Sequence, residues 1–161
     1  MLVRGSLLAF AVTLAVVTPA VLGGTHAANA QAAFTLSSPD FKDGARLAQK
    51  NAGNNKANPN CVGENVSPAL SWANPPEGTK SYALLMFDPE GRPPGGVSHW
   101  VAYGIPVSVT GFAEGEVSKA SDKYVGGIST QKVGFYSGPC TPAGAPHHYT
   151  FTLIEIGRAH V

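Results

Sequence analysis

Glycine and proline punctuate this sequence, and that punctuation limits its fold more than any other feature. The 161 residues include 19 Gly and 13 Pro. Ser67-Pro68, Asn74-Pro75-Pro76-Glu77-Gly78 and Pro93-Pro94-Gly95-Gly96 are turn-forming runs. Proline presets φ and removes an N–H, whereas glycine supplies the positive φ that many turns need. A helical bundle does not accommodate so many interruptions. Gln49 to Glu64 is polar and Asn-rich with Pro59 and two glycines, and reads as a long surface loop.

Short strand-like runs lie between the turns. Ser81–Phe87 is apolar on both faces, as a buried strand is. His99–Ile105 is a second run, stopped by Pro106. Tyr149–Leu153 alternates, which puts Tyr149, Phe151 and Leu153 on one face. A single short helix is expected near Asp43–Lys50. Several strands divided by Gly/Pro turns predict one all-β domain, a sandwich or barrel of mostly antiparallel sheets.

The first thirty residues stand apart. Arg4 precedes an apolar stretch from Leu7 to Leu22, and Ala28-Asn29-Ala30 supplies a small-x-small cleavage pattern. Residues 1–30 are read as a secretory signal peptide, and the chain as periplasmic or secreted. After Ala30 no apolar run approaches the ~20 residues that a membrane-spanning helix needs. The whole chain holds 11 Lys and Arg against 10 Asp and Glu, and Arg4 is the one charge that cleavage removes. The mature chain is then balanced, with no cationic cluster for nucleic acid or for an anionic membrane. Cys61 and Cys140 both lie in the mature part. In an exported chain they invite a disulfide, with two separate thiols as the alternative.

Two segments concentrate the side chains able to do chemistry. Asp88-Pro89-Glu90-Gly91-Arg92 is followed by Ser98-His99-Trp100, and Tyr136-Ser137-Gly138-Pro139-Cys140 by His147-His148-Tyr149. In each, a polar turn meets a strand end that carries a histidine, a common place for binding residues. If the segments converge, Asp88, His99, His147 and Tyr149 form one small pocket. Imidazole, phenol and backbone N–H groups suit a phosphate-like anion there, with Asp88 orienting a histidine.

Gly63-x-Asn65-x-Ser67-Pro68-x-Leu70-x-Trp72, then Asp88-Pro89-Glu90 with His99-Trp100, then Gly138-Pro139 with Pro142-x-Gly144 and His147-His148-Tyr149 occur in that order. Together they resemble the successive signatures of the phosphatidylethanolamine-binding protein family, in its bacterial Raf-kinase-inhibitor-like branch, from about Phe34 to Leu153. The resemblance implies an antiparallel β-sandwich with few short helices and a small anion pocket near one end. That pocket holds a phosphate or phospholipid head group and is lined by Asp88, Glu90, His99, Gly138, His147 and Tyr149. Trp100, beside the pocket histidine, is expected to be a core aromatic. The Gly63–Trp72 block is expected to position a loop over the sheet.

Two positions depart from the family pattern. Glu90 stands where the family usually has Asp, and His148 where it usually has Arg, which removes a permanent charge and a bidentate donor.

The resulting expectation is a non-catalytic binder of a small anion, a phospholipid head group or a phosphorylated partner protein, acting as an inhibitor or regulatory module without cofactor or metal. The alternative is a metal-dependent hydrolase or other enzyme using His99, His147 and Asp88, although no compact metal motif is present. The domain is expected to run over 31–155 and to lack the family's C-terminal helix and strand. Ile156–Val161 back-translates to a common sequencing-adaptor oligonucleotide and is read as a non-native tail.

Overall fold

The computed structural model describes residues 32–157. The signal segment read over 1–30 and residues 158–161 lie outside the described residues. Seven strands and one 3-10 turn form in the order β1 (Thr35–Ser37), the turn (Gln49–Asn51), β2 (Leu70–Ala73), β3 (Ser81–Asp88), β4 (Val97–Pro106), β5 (Gly111–Phe112), β6 (Val125–Gly126) and β7 (Thr150–Ile156). A three-stranded sheet has the order β1-β2-β5, and a four-stranded sheet the order β6-β4-β3-β7. Every pairing is antiparallel. The fold class is therefore the all-β, antiparallel one that the turn spacing predicts.

Alternation places the core between the sheets. In β3, Tyr82, Leu84 and Met86 are buried, because side chains two apart share a face. Register sets Leu84 beside Ala102 and Leu153, and Met86 beside Trp100 and Phe151. The short sheet contributes Leu70, Trp72 and Phe112. The aromatic rings interlock edge to face: Trp72–Phe112 centroids are 5.5 Å apart, Trp100–Phe112 5.7 Å and Trp100–Tyr124 5.7 Å. Each such pair adds about 0.5–1.5 kcal/mol beyond the area it buries. Trp100 has no exposed surface.

The sequence reading needs three corrections. The strand at 81–87 is buried on one face only. Ala83 and Leu85 are half-buried and Phe87 is exposed, because among the described residues no second layer covers that side of the sheet. The helix expected near Asp43–Lys50 reduces to a turn and the 3-10 turn. Ala45 N–H donates to the Lys42 carbonyl at 3.0 Å, and Gly44 at φ +72° turns the chain out of helical geometry. β7 runs over Thr150–Ile156 with Ile156 paired to Ser81, three residues past the strand expected at Tyr149–Leu153.

Candidate functional site

Asp88 ends β3 facing inward, in phase with Met86, and is only 3% exposed. Such burial of a carboxylate requires partners. Its Oδ1 accepts from the N–H groups of Glu90 (3.0 Å) and Gly91 (2.9 Å), closing the turn that leads to β4. Its Oδ2 faces His147 Nδ1 at 2.8 Å and lies 4.0 Å from His99 Nε2.

His99 sits near the start of β4, 4% exposed. The segment after β6 runs alongside it. Ser137 N–H donates to the His99 carbonyl at 3.2 Å, and the Ser137 carbonyl faces His99 Nδ1 at 2.8 Å. Burial lowers the His99 pKa below its ordinary value of 6.5. The Ser137 bond and the Asp88 charge oppose that shift, while His147 adds to it. Tyr149 lies edge-on to His99, with centroids 5.3 Å apart, and stacks on His147 at 6.5 Å. Its hydroxyl bonds Thr141 Oγ1, and burial raises its pKa.

The opposite wall comes from the Asn-rich loop. Asn51 is buried, and its carbonyl accepts the Tyr136 hydroxyl at 2.7 Å. Asn65 Oδ1 accepts Gly138 N–H at 2.7 Å, and Gly53 N–H donates to the Pro139 carbonyl at 2.8 Å. Cys61 and Cys140 are bonded to each other across this junction, with Cα atoms 4.4 Å apart. Gly138 is required by close approach, since a Cβ there would meet the Asn51 carbonyl oxygen at 2.3 Å.

These elements enclose a cavity of about 500 Å³. Asp88, His99, Gly138, His147 and Tyr149 all line it. Glu90, read as a sixth lining residue, does not. Its carboxylate turns outward, taking His148 N–H at 3.0 Å and His148 Nδ1 at 2.7 Å. The His148 bonds pull the Glu90 pKa down to about 2. Sequence reasoning missed Arg92, Gln131 and the asparagines 54, 55, 58 and 60, which also line the cavity. The Asn-rich run was visible, but its contact with Gly138 spans more than seventy residues and leaves no local signal. Among the described residues, no group of three His, Cys, Asp or Glu side chains is arranged to hold a metal ion.

A family model described as phosphatidylethanolamine-binding protein matches residues 37–160. The UPF0098 protein YbcL of Escherichia coli is 34% identical over 130 residues, covering 78% of this chain and 69% of YbcL. An Aquifex aeolicus UPF0098 protein is 40% identical over 99 residues, covering 60% of this chain and 57% of that protein. Among solved structures, YbcL superimposes with TM-score 0.68 at 31% identity over 76% of each chain, and is described as a member of the mammalian PEBP family. The Chlamydia trachomatis protein CT736, described as a putative phosphatidylethanolamine-binding protein homolog, gives TM-score 0.63 at 31% identity, covering 76% of this chain and 74% of that one. The chain belongs to the phosphatidylethanolamine-binding protein family.

Proposed function

We propose that this chain is an exported, non-catalytic binding module whose cavity holds a small anion, the phosphate of a head group or of a phosphorylated partner. One observation carries the reading. Asp88, His99, Gly138, His147 and Tyr149 come from three distant segments and line one cavity of about 500 Å³. Arg92 and several side-chain amides on the same cavity add donors suited to oxyanions. Family membership supports binding as the role. The apolar run and Ala-x-Ala pattern within residues 1–30, together with the Cys61–Cys140 bond, support an oxidising periplasmic or extracellular location.

Calorimetric titration with inorganic phosphate tests the pocket. His99→Ala and His147→Ala are each expected to weaken binding by about 1.5–3 kcal/mol, as for hydrogen bonds to a charged group. Unchanged affinity in both variants rejects the shared pocket. Export is tested by N-terminal sequencing of protein from an oxidising compartment, with Gln31 expected as the first residue.

A further inference from the structure

The hydrogen-bond partners of the two pocket histidines fix where their protons sit. A carbonyl oxygen has only lone pairs, so His99 Nδ1, 2.8 Å from the Ser137 carbonyl, carries the ring proton. His147 Nδ1, 2.8 Å from Asp88 Oδ2, is protonated for the same reason. In each neutral ring Nε2 is then an acceptor. Asp88 Oδ2 is a third acceptor, 4.0 Å from His99 Nε2. Asp88, His99 and His147 line the same cavity, which therefore has a wall of acceptors, one of them charged. An anion offering only lone pairs is repelled by that wall. An oxyanion that keeps an O–H donates to it, and turns its remaining oxygens toward Arg92 and the side-chain amides across the cavity.

Resting on the anion-binding reading above, and narrowing its occupants to free phosphate and phosphate monoesters, we propose that the pocket selects oxyanions that hold a proton in the complex over sulfate and over phosphodiesters, the intact phospholipid head group included, with one proton taken up when a monoester binds above neutral pH. The charged and titratable groups facing His99 are Asp88 from β3, Arg92 from the turn after it, Tyr136 from the segment beside β4, and His147 and Tyr149 from the approach to β7. Burial favours the neutral form of His99 and keeps both phenols protonated. A phosphate monoester loses its second proton near pH 6, roughly. Above that pH, a monoester complex holds one more proton than its separated partners, and its affinity falls about tenfold per pH unit; inorganic phosphate keeps one O–H as its dianion and needs no such uptake.

The test is calorimetric titration with inorganic phosphate, phosphoethanolamine, sulfate and the soluble diester glycerophosphoethanolamine, at about pH 6.5 and pH 8, in buffers of different ionisation enthalpy. Phosphate and phosphoethanolamine are expected to bind at least about tenfold more tightly than sulfate and the diester at the lower pH, with about one proton taken up by the phosphoethanolamine complex at the higher pH. Sulfate or the diester binding as tightly as phosphate, or phosphoethanolamine binding without proton uptake at the higher pH, overturns the proposal. If none of the four binds at either pH, the anion-binding reading itself fails and the selectivity falls with it. Nitrogen NMR of the wild-type imidazoles gives an independent readout. Both rings are expected in the Nδ1–H form when neutral, and an Nε2–H form at either position refutes the mechanism. Asp88→Asn retains an oxygen for the Glu90 and Gly91 N–H groups but places an NH2 where Oδ2 stood. It is expected to narrow the preference for phosphate over sulfate, and an unchanged ratio in the folded variant counts against the acceptor wall.

Discussion

Removing the Cys61–Cys140 bond gives the most quantitative test of what holds the pocket walls together. The bond joins residues 79 apart in sequence, and in the chain-entropy treatment a loop of that length corresponds to about 4.5 kcal/mol at 25 °C. Little of this stabilisation comes from the native contacts around the bond. The Asn-rich loop is already tied to the 136–139 segment by four hydrogen bonds: Tyr136 hydroxyl to the Asn51 carbonyl, Gly53 N–H to the Pro139 carbonyl, Gly138 N–H to Asn65 Oδ1, and Asn65 Nδ2 to the Tyr136 carbonyl. The bond therefore acts mainly by restricting the unfolded chain. Small domains are stable by only about 5–15 kcal/mol, so the expected loss is a large fraction of the total. The assay is urea unfolding followed by tryptophan fluorescence, comparing oxidised wild type with the Cys61→Ala/Cys140→Ala double variant. Replacing both residues avoids a stray thiol. A loss of roughly 3–5 kcal/mol is expected, and reduced wild type should match the variant. A loss below about 1 kcal/mol would refute the reasoning, because the loop would then be as restricted in the unfolded chain without the bond as with it.

Gly138→Ala pushes a methyl against backbone atoms of Asn51, Ala52 and Gly53. It should lower the unfolding free energy by about 1–3 kcal/mol and weaken phosphate binding, both measurable on one preparation. Tyr136→Phe deletes the hydroxyl that donates to the Asn51 carbonyl, and denaturant unfolding should show a loss of about 1–2 kcal/mol. Because the folded His99 pKa lies below 6.5, its contribution is fully present above that value and is lost as pH falls through the folded pKa. Urea unfolding across this acidic range should therefore show a steeper loss for wild type than for His99→Gln.

Legibility in the sequence followed element length. β3, β4 and β7 run over 8, 10 and 7 residues, long enough for alternation to show. β1, β5 and β6 have 3, 2 and 2 residues, too few for any period, and exist because longer neighbours offer them hydrogen bonds. Trp100 was readable as core because it lies in β4 among other apolar residues. The exposure of Phe87 was not readable, since its side chain takes the outward face of β3 and only the sheet layering decides what covers that face. In the site, Asp88 and His99 sit at the ends of strands that the sequence reveals. The amide-rich wall opposite is irregular backbone, held by contacts such as Asn65 to Gly138 that carry no periodic signature.

Glu90 and His148 show how two local departures resolve into one feature. Each breaks the family pattern separately, and in the sequence they are 58 positions apart. In the structure they bond to each other, with Glu90 accepting both the backbone N–H and the ring Nδ1 of His148. The longer Glu side chain reaches out of the turn, and the shorter imidazole meets it, so the pair joins the β3–β4 turn to the segment entering β7. Its side chains are 40% and 81% exposed, and a solvated pair of that kind adds little to global stability. Its effect is positional. It takes the Glu90 charge away from the cavity and leaves Asp88 as the one carboxylate among the cavity-lining residues. The low Glu90 pKa means that what the pair contributes to stability is present above about 4.5 and is lost as pH falls toward about 2, where Glu90 protonates in the folded chain. At neutral pH the turn and the His147 segment are therefore joined twice: outside the cavity through Glu90 and His148, and inside through Asp88 and His147.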